Sequence, residues 1–218
     1  VKVIMQELES LGLKEETLII FTSDNGSRND YVKSNAPLRG TKGTTWEGGM
    51  RVPCIMYWPG QIPGGRVCKE LVTAMDLMPT LTFLAGEDLP RDRIIDGKDI
   101  RPLLFNGEGA ESPYEAFFYY FKNNIDAVRS GKWKLHLRKE DREVRQLYNL
   151  RKDISENNNV YKDNPEVVKR LRKYVKAARK DLGDAAVKKE GKNCRPQGKV
   201  KDPSPLTFYD PDHPYLVA

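Results

Sequence analysis

Leu18 to Trp58 reads LIIFTSDNGSRNDYVKSNAPLRGTKGTTWEGGMRVPCIMYW. Residues 18–22 are an unbroken apolar run rich in β-branched side chains, which predicts a strand of the kind buried on both faces of a sheet. The run ends in Ser23-Asp24-Asn25-Gly26, so a carboxylate and a carboxamide stand side by side where the strand leaves its sheet. In open α/β sheets that carboxyl edge is where ligands bind. Two adjacent oxygen donors followed by a permissive glycine suit a hard cation such as Ca²⁺ or Mg²⁺. The same residues also suit an Asx turn with no ligand. Residues 40–49, GTKGTTWEGG, set a single lysine, Lys42, among small residues that allow close approach. A second apolar run, 52–58, predicts the returning strand, with Pro53 near its start where a missing N–H is tolerated. Oxygen donors for a cation, with a lysine on a glycine-rich loop, make a candidate oxyanion site.

Upstream, residues 1–11 predict the end of an amphipathic helix with Val3, Ile4, Leu8 and Leu11 on one face, stopped by Gly12. Helix followed by strand is half of a βαβ unit whose first strand is missing, so the chain reads as a late portion of a longer protein. Downstream, Asp76 is placed to cap a helix over 77–84 that stops at Gly86. Residues 88–111, rich in Pro, Gly and charge, read as a connector. Short strands over 115–121, 126–129, 132–137 and 144–148 predict a small antiparallel sheet. In the third, Trp133, Leu135 and Leu137 alternate with polar residues, the pattern of a half-buried strand. Asn164-Pro165-Glu166 opens a helix whose apolar stripe runs through Val167, Val168, Leu171, Tyr174, Val175, Ala178 and Leu182. Residues 183–218 lose periodicity and read as an irregular tail. The organisation expected is therefore 1–105 as the late part of an α/β domain, 106–182 as a sheet-and-helix subdomain, and 183–218 as the tail.

The 218 residues are 39 % apolar and 31 % charged, with a net charge of +6. Residues 129–201 hold 23 Lys/Arg against 10 Asp/Glu, a balance of +13. That basic half is either a solvated surface or an attractor for an anionic substrate such as a sulfated glycan. No recognition motif accompanies the charge, so nucleic acid is not the expected partner. No apolar run is long enough to span a bilayer. Three cysteines make no disulfide framework. Cys54 reads as a small core residue, and Cys68 and Cys194 could pair only if the fold brings them together. His136 and His213 are too isolated in sequence to suggest a metal cluster.

Two stretches carry a family resemblance. Thr22-Ser23-Asp24-Asn25-Gly26, together with PLRGTKGTTWEGGMRVP over 37–53, closely resembles type I sulfatases of the alkaline-phosphatase-like superfamily. Met75-Asp76-Leu77-Met78-Pro79-Thr80-Leu81 and Leu84-Ala85-Gly86 resemble a further signature of that family. The resemblance runs over roughly 1–182 and is specific from 18 to 86. It implies an α/β fold, with the C-terminal part of a sulfatase domain followed by a small α+β subdomain of antiparallel sheet and one helix. It also implies that Asp24 and Asn25 are metal ligands, for Ca²⁺ or Mg²⁺, and that Lys42 touches the sulfate. Arg39 and Glu47 are expected to brace the loop as an ion pair. Asp76 is expected to be structural.

By the same resemblance the nucleophile is a formylglycine made from Cys or Ser in a Cys/Ser-x-Pro/Ala-x-Arg motif. The nearest string, Cys194-Arg195-Pro196-Gln197-Gly198, lacks the final Arg and lies in the tail, so the formylglycine is expected in a part preceding this chain. The substrate implied is a sulfated small molecule or sulfated glycan, and the location periplasmic, secreted or lysosomal. Two alternatives stand beside this reading. One is a phosphatase or phosphonate hydrolase of the same superfamily, which usually has His where this chain has Asn25. The other is a binding module for anionic glycans built on the basic half.

Overall fold

The computed structural model describes residues 1–28, 34–106, 109–139, 141–195 and 198–203. Helix α1 (Lys2–Ser10) ends as its sequence predicts. Gly12 adopts φ +70°, and the Gly12 and Leu13 amides donate to the Glu9 and Leu8 carbonyls. The apolar face of α1 is bare, with Val3, Ile4 and Leu11 all exposed. Strand β1 (Ile19–Thr22) pairs antiparallel with β2 (Cys54–Tyr57), Ile19 opposite Tyr57 and Thr22 opposite Cys54.

Among the described residues these two strands form a ribbon of their own. Burial on both faces is therefore not what is found: Phe21 and Ile55 are 47 % and 60 % exposed, because no layer lies over them. For the same reason Cys54 is an exposed free thiol and not a core residue; Cys68 and Cys194 are exposed and unpaired as well.

Between β1 and β2 lies a single helical turn, α2 (Glu47–Met50), at the end of the glycine-rich loop. Residues 29–33 of the preceding polar loop lie outside the described residues. Helix α3 (Leu77–Leu84) stands where expected, with Gly86 at φ +81° after it. Asp76, fully buried, does not cap α3 through its side chain. It closes a capping box instead, accepting the Thr73 amide at 2.6 Å, and it also accepts the Lys98 amide at 2.8 Å and the Tyr114 hydroxyl. One carboxylate thus ties three segments, a stronger structural role than a cap. Helix α4 (Arg101–Phe105) follows within the expected connector and buries Leu103.

The second half folds around an antiparallel meander, β3 (Phe117–Phe121), β4 (Asn124–Ser130), β5 (Trp133–Lys139) and β6 (Arg142–Asn149), in sequence order. Helix α5 (Pro165–Asp181) lies on one face. Val128, Leu135 and Leu147, neighbours in the strand register, meet Val168, Leu171, Val175 and Ala178 to form the core. Each fully buried aliphatic side chain here removes enough apolar surface to stabilise the fold by about 1.5–3 kcal/mol.

The opposite face was expected to be wet. It is not: Lys134 and His136, which alternate with the core residues of β5, are both fully buried. The glycine-rich loop covers them, so β5 is closed on both sides. The chain after α5 also departs from the irregular tail expected. Gly183–Asp184 (β7) pairs with Lys189–Glu190 (β8), and the Asp184 carboxylate accepts the Ile125 amide and Arg179 Nε. Residues 204–218, including His213, lie outside the described residues.

Candidate active site

The loop from 34 to 51 is held by its own backbone. The Asn35 side chain accepts the Ser27 amide at 2.9 Å and donates to the Gly40 carbonyl at 3.0 Å. The Lys42 amide donates to the Ser27 carbonyl at 2.9 Å, the Gly48 amide to the Arg39 carbonyl at 2.7 Å, and the Gly26 amide to the Gly49 carbonyl at 3.2 Å. These close approaches account for the glycines. A Cβ on Gly26 would lie 1.7 Å from the Gly48 carbonyl oxygen, and one on Gly48 would lie 2.4 Å from the Gly40 oxygen. Gly40 itself has φ +83°. The Asp-Asn-Gly turn and the Glu-Gly-Gly turn are therefore packed backbone to backbone.

The result is an open cleft of ≈ 430 Å³ whose lining includes Asp24, Asn25, Arg28, Asn35, Lys42 and Arg51. Three cationic side chains and one carboxylate line it, a balance that favours an anion. Lys42 is exposed toward it, and Asp24 is exposed as well. Asn25 differs from both. Its Oδ1 is buried and has no hydrogen-bond partner among the described residues. A buried carbonyl oxygen left unpaired costs about 1–3 kcal/mol unless something electropositive completes it. No group of three or more His, Cys, Asp or Glu side chains suited to a metal is present among the described residues.

Behind the loop, on the far side from the cleft, is a buried ionic cluster. Lys134 Nζ lies 2.8 Å from Glu47 Oε1 and 3.1 Å from Glu156 Oε1. Glu47 also accepts the Tyr119 hydroxyl at 3.1 Å and lies 3.7 Å from Arg129. Glu156 Oε2 accepts the Glu47 amide at 2.7 Å, and Glu156 Oε1 lies 2.6 Å from His136 Nε2. Burial, reinforced by the Lys134 charge, holds the His136 imidazole well below its usual range. The neutral ring therefore donates from Nε2 to the carboxylate. With His136 neutral, two carboxylates face two cations and the cluster balances.

The Arg39–Glu47 ion pair expected from sequence does not form. Arg39 stacks 3.9 Å above the Trp46 ring and donates to the Glu156 carbonyl at 3.0 Å, while Glu47 turns inward to Lys134.

Residues 1–87 match the family model described as Sulfatase. An arylsulfatase of Hemicentrotus pulcherrimus is 45 % identical over 141 residues, covering 63 % of this chain and 25 % of that protein. An N-acetylgalactosamine-6-sulfatase of Mus musculus is 43 % identical over 138 residues, covering 62 % and 26 %. The PsFucS1 sulfatase from Pseudoalteromonas sp. superposes with a TM-score of 0.72 at 30 % identity, over 81 % of this chain and 39 % of that one.

Residues 1–87 thus match the sulfatase family, and the chain is similar to these sulfatases. Its fold is the α/β fold of those alkaline-phosphatase-like neighbours. It spans about a quarter of the length of the curated sulfatases it matches.

Within the matched residues Asp24, Asn25 and Lys42 come to one cleft, although Lys42 lies 17 positions after Asn25. The buried cluster was the part sequence reasoning missed. A lysine and a histidine two apart on a strand read as a solvent face. The signal that could have exposed it was Glu47 itself, a carboxylate set in a run of small residues.

Proposed function

We propose that this chain is the C-terminal part of a sulfatase that hydrolyses sulfate esters, with Asp24 and Asn25 as ligands of a divalent cation, Ca²⁺ or Mg²⁺, and Lys42 as a contact to the sulfate. The observation that carries the reading is the buried Asn25 Oδ1, without a hydrogen-bond partner among the described residues, in a cleft that Lys42 also lines. A carbonyl oxygen in that state is a ready ligand for a hard cation, and the adjacent Asp24 carboxylate supplies charge. Two ligands fall short of the roughly six to eight oxygens Ca²⁺ takes, so the rest come from elsewhere in the complete protein. Bound there, the cation would polarise the oxygens of the ester as a Lewis acid.

The residues of this chain then have distinct tasks. Lys42 holds one nonbridging oxygen and neutralises charge as it shifts toward the leaving oxygen. Arg51 and Arg28 make the mouth attractive to an anion. The formylglycine nucleophile would come from the rest of the complete protein, because no residue of this chain sits in its motif. Sulfated glycans are the favoured substrate class. One structural neighbour is described in complex with k-i-k-neocarrahexaose, at 31 % identity and a TM-score of 0.70.

The test is hydrolysis of a chromogenic aryl sulfate and of a sulfated oligosaccharide by the complete protein, set against an aryl phosphate. Faster turnover of the phosphate would favour the phosphatase alternative, and loss of sulfate turnover in a metal chelator would support the cation. The 218-residue chain by itself should turn over neither ester.

A further inference from the structure

Helix α2 is a single turn of four residues, two of them glycine. A segment so short, with so little side chain, cannot hold its own position. Yet it is the wall against which the Asp-Asn-Gly turn rests, through the Gly26 amide and the Gly49 carbonyl. It is also where the Lys42 loop closes, through the Gly48 amide and the Arg39 carbonyl. Bonds from outside the loop add to these in setting its position. The groups that make them belong to the C-terminal half: the Glu156 carboxylate on the Glu47 amide, and Lys134 with Tyr119 on the Glu47 side chain.

We propose that the buried Glu47–Lys134–Glu156–His136 network is the positioning device of the candidate active site. Through it the C-terminal sheet sets where the loop presents Lys42 and where the turn presents Asn25. The proposal rests on the roles given to those two residues above.

Three observations support it. First, the path is short and each link is an ion pair, a hydrogen bond or a bonded neighbour. Lys134 holds Glu47, Glu47 begins α2, Gly49 receives Gly26, and Gly26 follows Asn25. Second, the same C-terminal segment grips the other end of the loop: the Glu156 carbonyl accepts Arg39 Nη1 at 3.0 Å, and Ser155 Oγ donates to the Pro37 carbonyl at 2.6 Å. Third, Glu156 sits at φ 53°, a left-handed conformation that a glutamate rarely adopts. Such a conformation persists only where the surroundings over-determine it. Here they bring one carboxylate to the Glu47 amide, Lys134 and His136 at once.

A plain staple between the two halves would use the same contacts but would change only stability when cut. The experiment separates these. In the complete, mature protein, Lys134→Met combined with Glu47→Gln removes one charge of each sign and so leaves the net charge of the cluster unchanged. The folded variant is expected to lose about 10–100-fold in kcat toward an aryl sulfate, with KM little changed. Its backbone amides at 24–28 and 40–50 should exchange with solvent at least about tenfold faster, while those of β4 and β5 keep wild-type protection.

Should the pair fail to fold, Glu156→Gln, which keeps its bulk and one acceptor, is put through the same two measurements. Wild-type amide protection of the loop, or wild-type kcat, in a folded variant overturns the proposal. Lys42→Ala runs alongside. A slow Lys42→Ala with a fast network variant sinks the positioning role alone, whereas a fast Lys42→Ala sinks the sulfate reading and the positioning proposal with it.

Discussion

At the scale of single residues the cleft divides into groups that touch the ligand and groups that make room. On the function proposed above, Lys42 is of the first kind. A single charge-assisted contact in a preorganised site contributes about 2–4 kcal/mol to the transition state. Lys42→Ala in the complete protein should therefore lower kcat/KM for a sulfate ester by about 30- to 1,000-fold, with the melting temperature nearly unchanged because the side chain is exposed. Lys42→Arg should recover only part of this, since a planar guanidinium does not fit where an ammonium approached as a point charge. Steady-state kinetics beside a thermal melt decides both.

The grouping of Asp24, Asn25 and Lys42 at one cleft was legible in the sequence because its signals are local: adjacent oxygens, or one lysine among glycines. The inward turn of Glu47 was not legible, because its partner Lys134 lies 87 residues away.

Among the elements, β5 shows best what pattern can and cannot tell. Alternation over Trp133-Lys134-Leu135-His136-Leu137 is enough to establish a strand and its core face. What covers the second face is a tertiary fact, and the covering loop comes from residues 39–51. Covering it has an electrostatic consequence. Burial pulls the Lys139 ammonium, which sits 3.8 Å over Trp46 and 2.7 Å from Thr45 Oγ1, down to about 7 from 10.5. Unfolding restores the ordinary value, so between pH 7 and 10.5 the unfolded chain binds a proton that the folded chain has released. His136, held low by burial, acts the same way below 6.5.

Stability should accordingly rise with pH through both windows. Melting temperatures taken from about pH 5.5 to about pH 9 should climb, and Lys139→Met should flatten the alkaline part of the climb. A flat profile in the wild-type protein would contradict this. The opposite face gives a simpler expectation. Leu171, fully buried beneath the sheet, should cost about 2–5 kcal/mol when cut to alanine, readable by urea denaturation.

On the scale of the whole molecule the two halves are finished to different degrees. The sheet with α5 has a closed core. The first half shows Val3, Ile4, Leu11, Phe21, Ile55, Met78 and Leu81 to solvent. Apolar groups spread over α1, β1, β2 and α3 in this way mark surfaces that seek cover. The 218-residue chain in isolation should therefore bind an apolar dye and scatter more light as its concentration rises. Charged substitutions at Phe21 and Ile55 should reduce both signals. This division was partly readable: helix, strand and turn identities follow from periodicity and caps, whereas β1 reads as doubly buried because its composition answers to a sheet larger than the ribbon formed here. No described helix is long and apolar enough to cross a membrane.

The contact between Gly26 and Gly48 limits how such a site can be altered. When two side chains meet, one can grow if the other shrinks, and a designer has a second move to repair the first. Here a methyl group at 26 would run into the peptide oxygen of residue 48, which has no side chain left to trim. No substitution at 48 can make the space. The Asn-Gly turn and the Gly-Gly turn, 22 positions apart, therefore move only as rigid pieces of main chain. Redesigning the specificity of this cleft has to begin with side chains such as Arg28 and Arg51, leaving both glycine turns as they are.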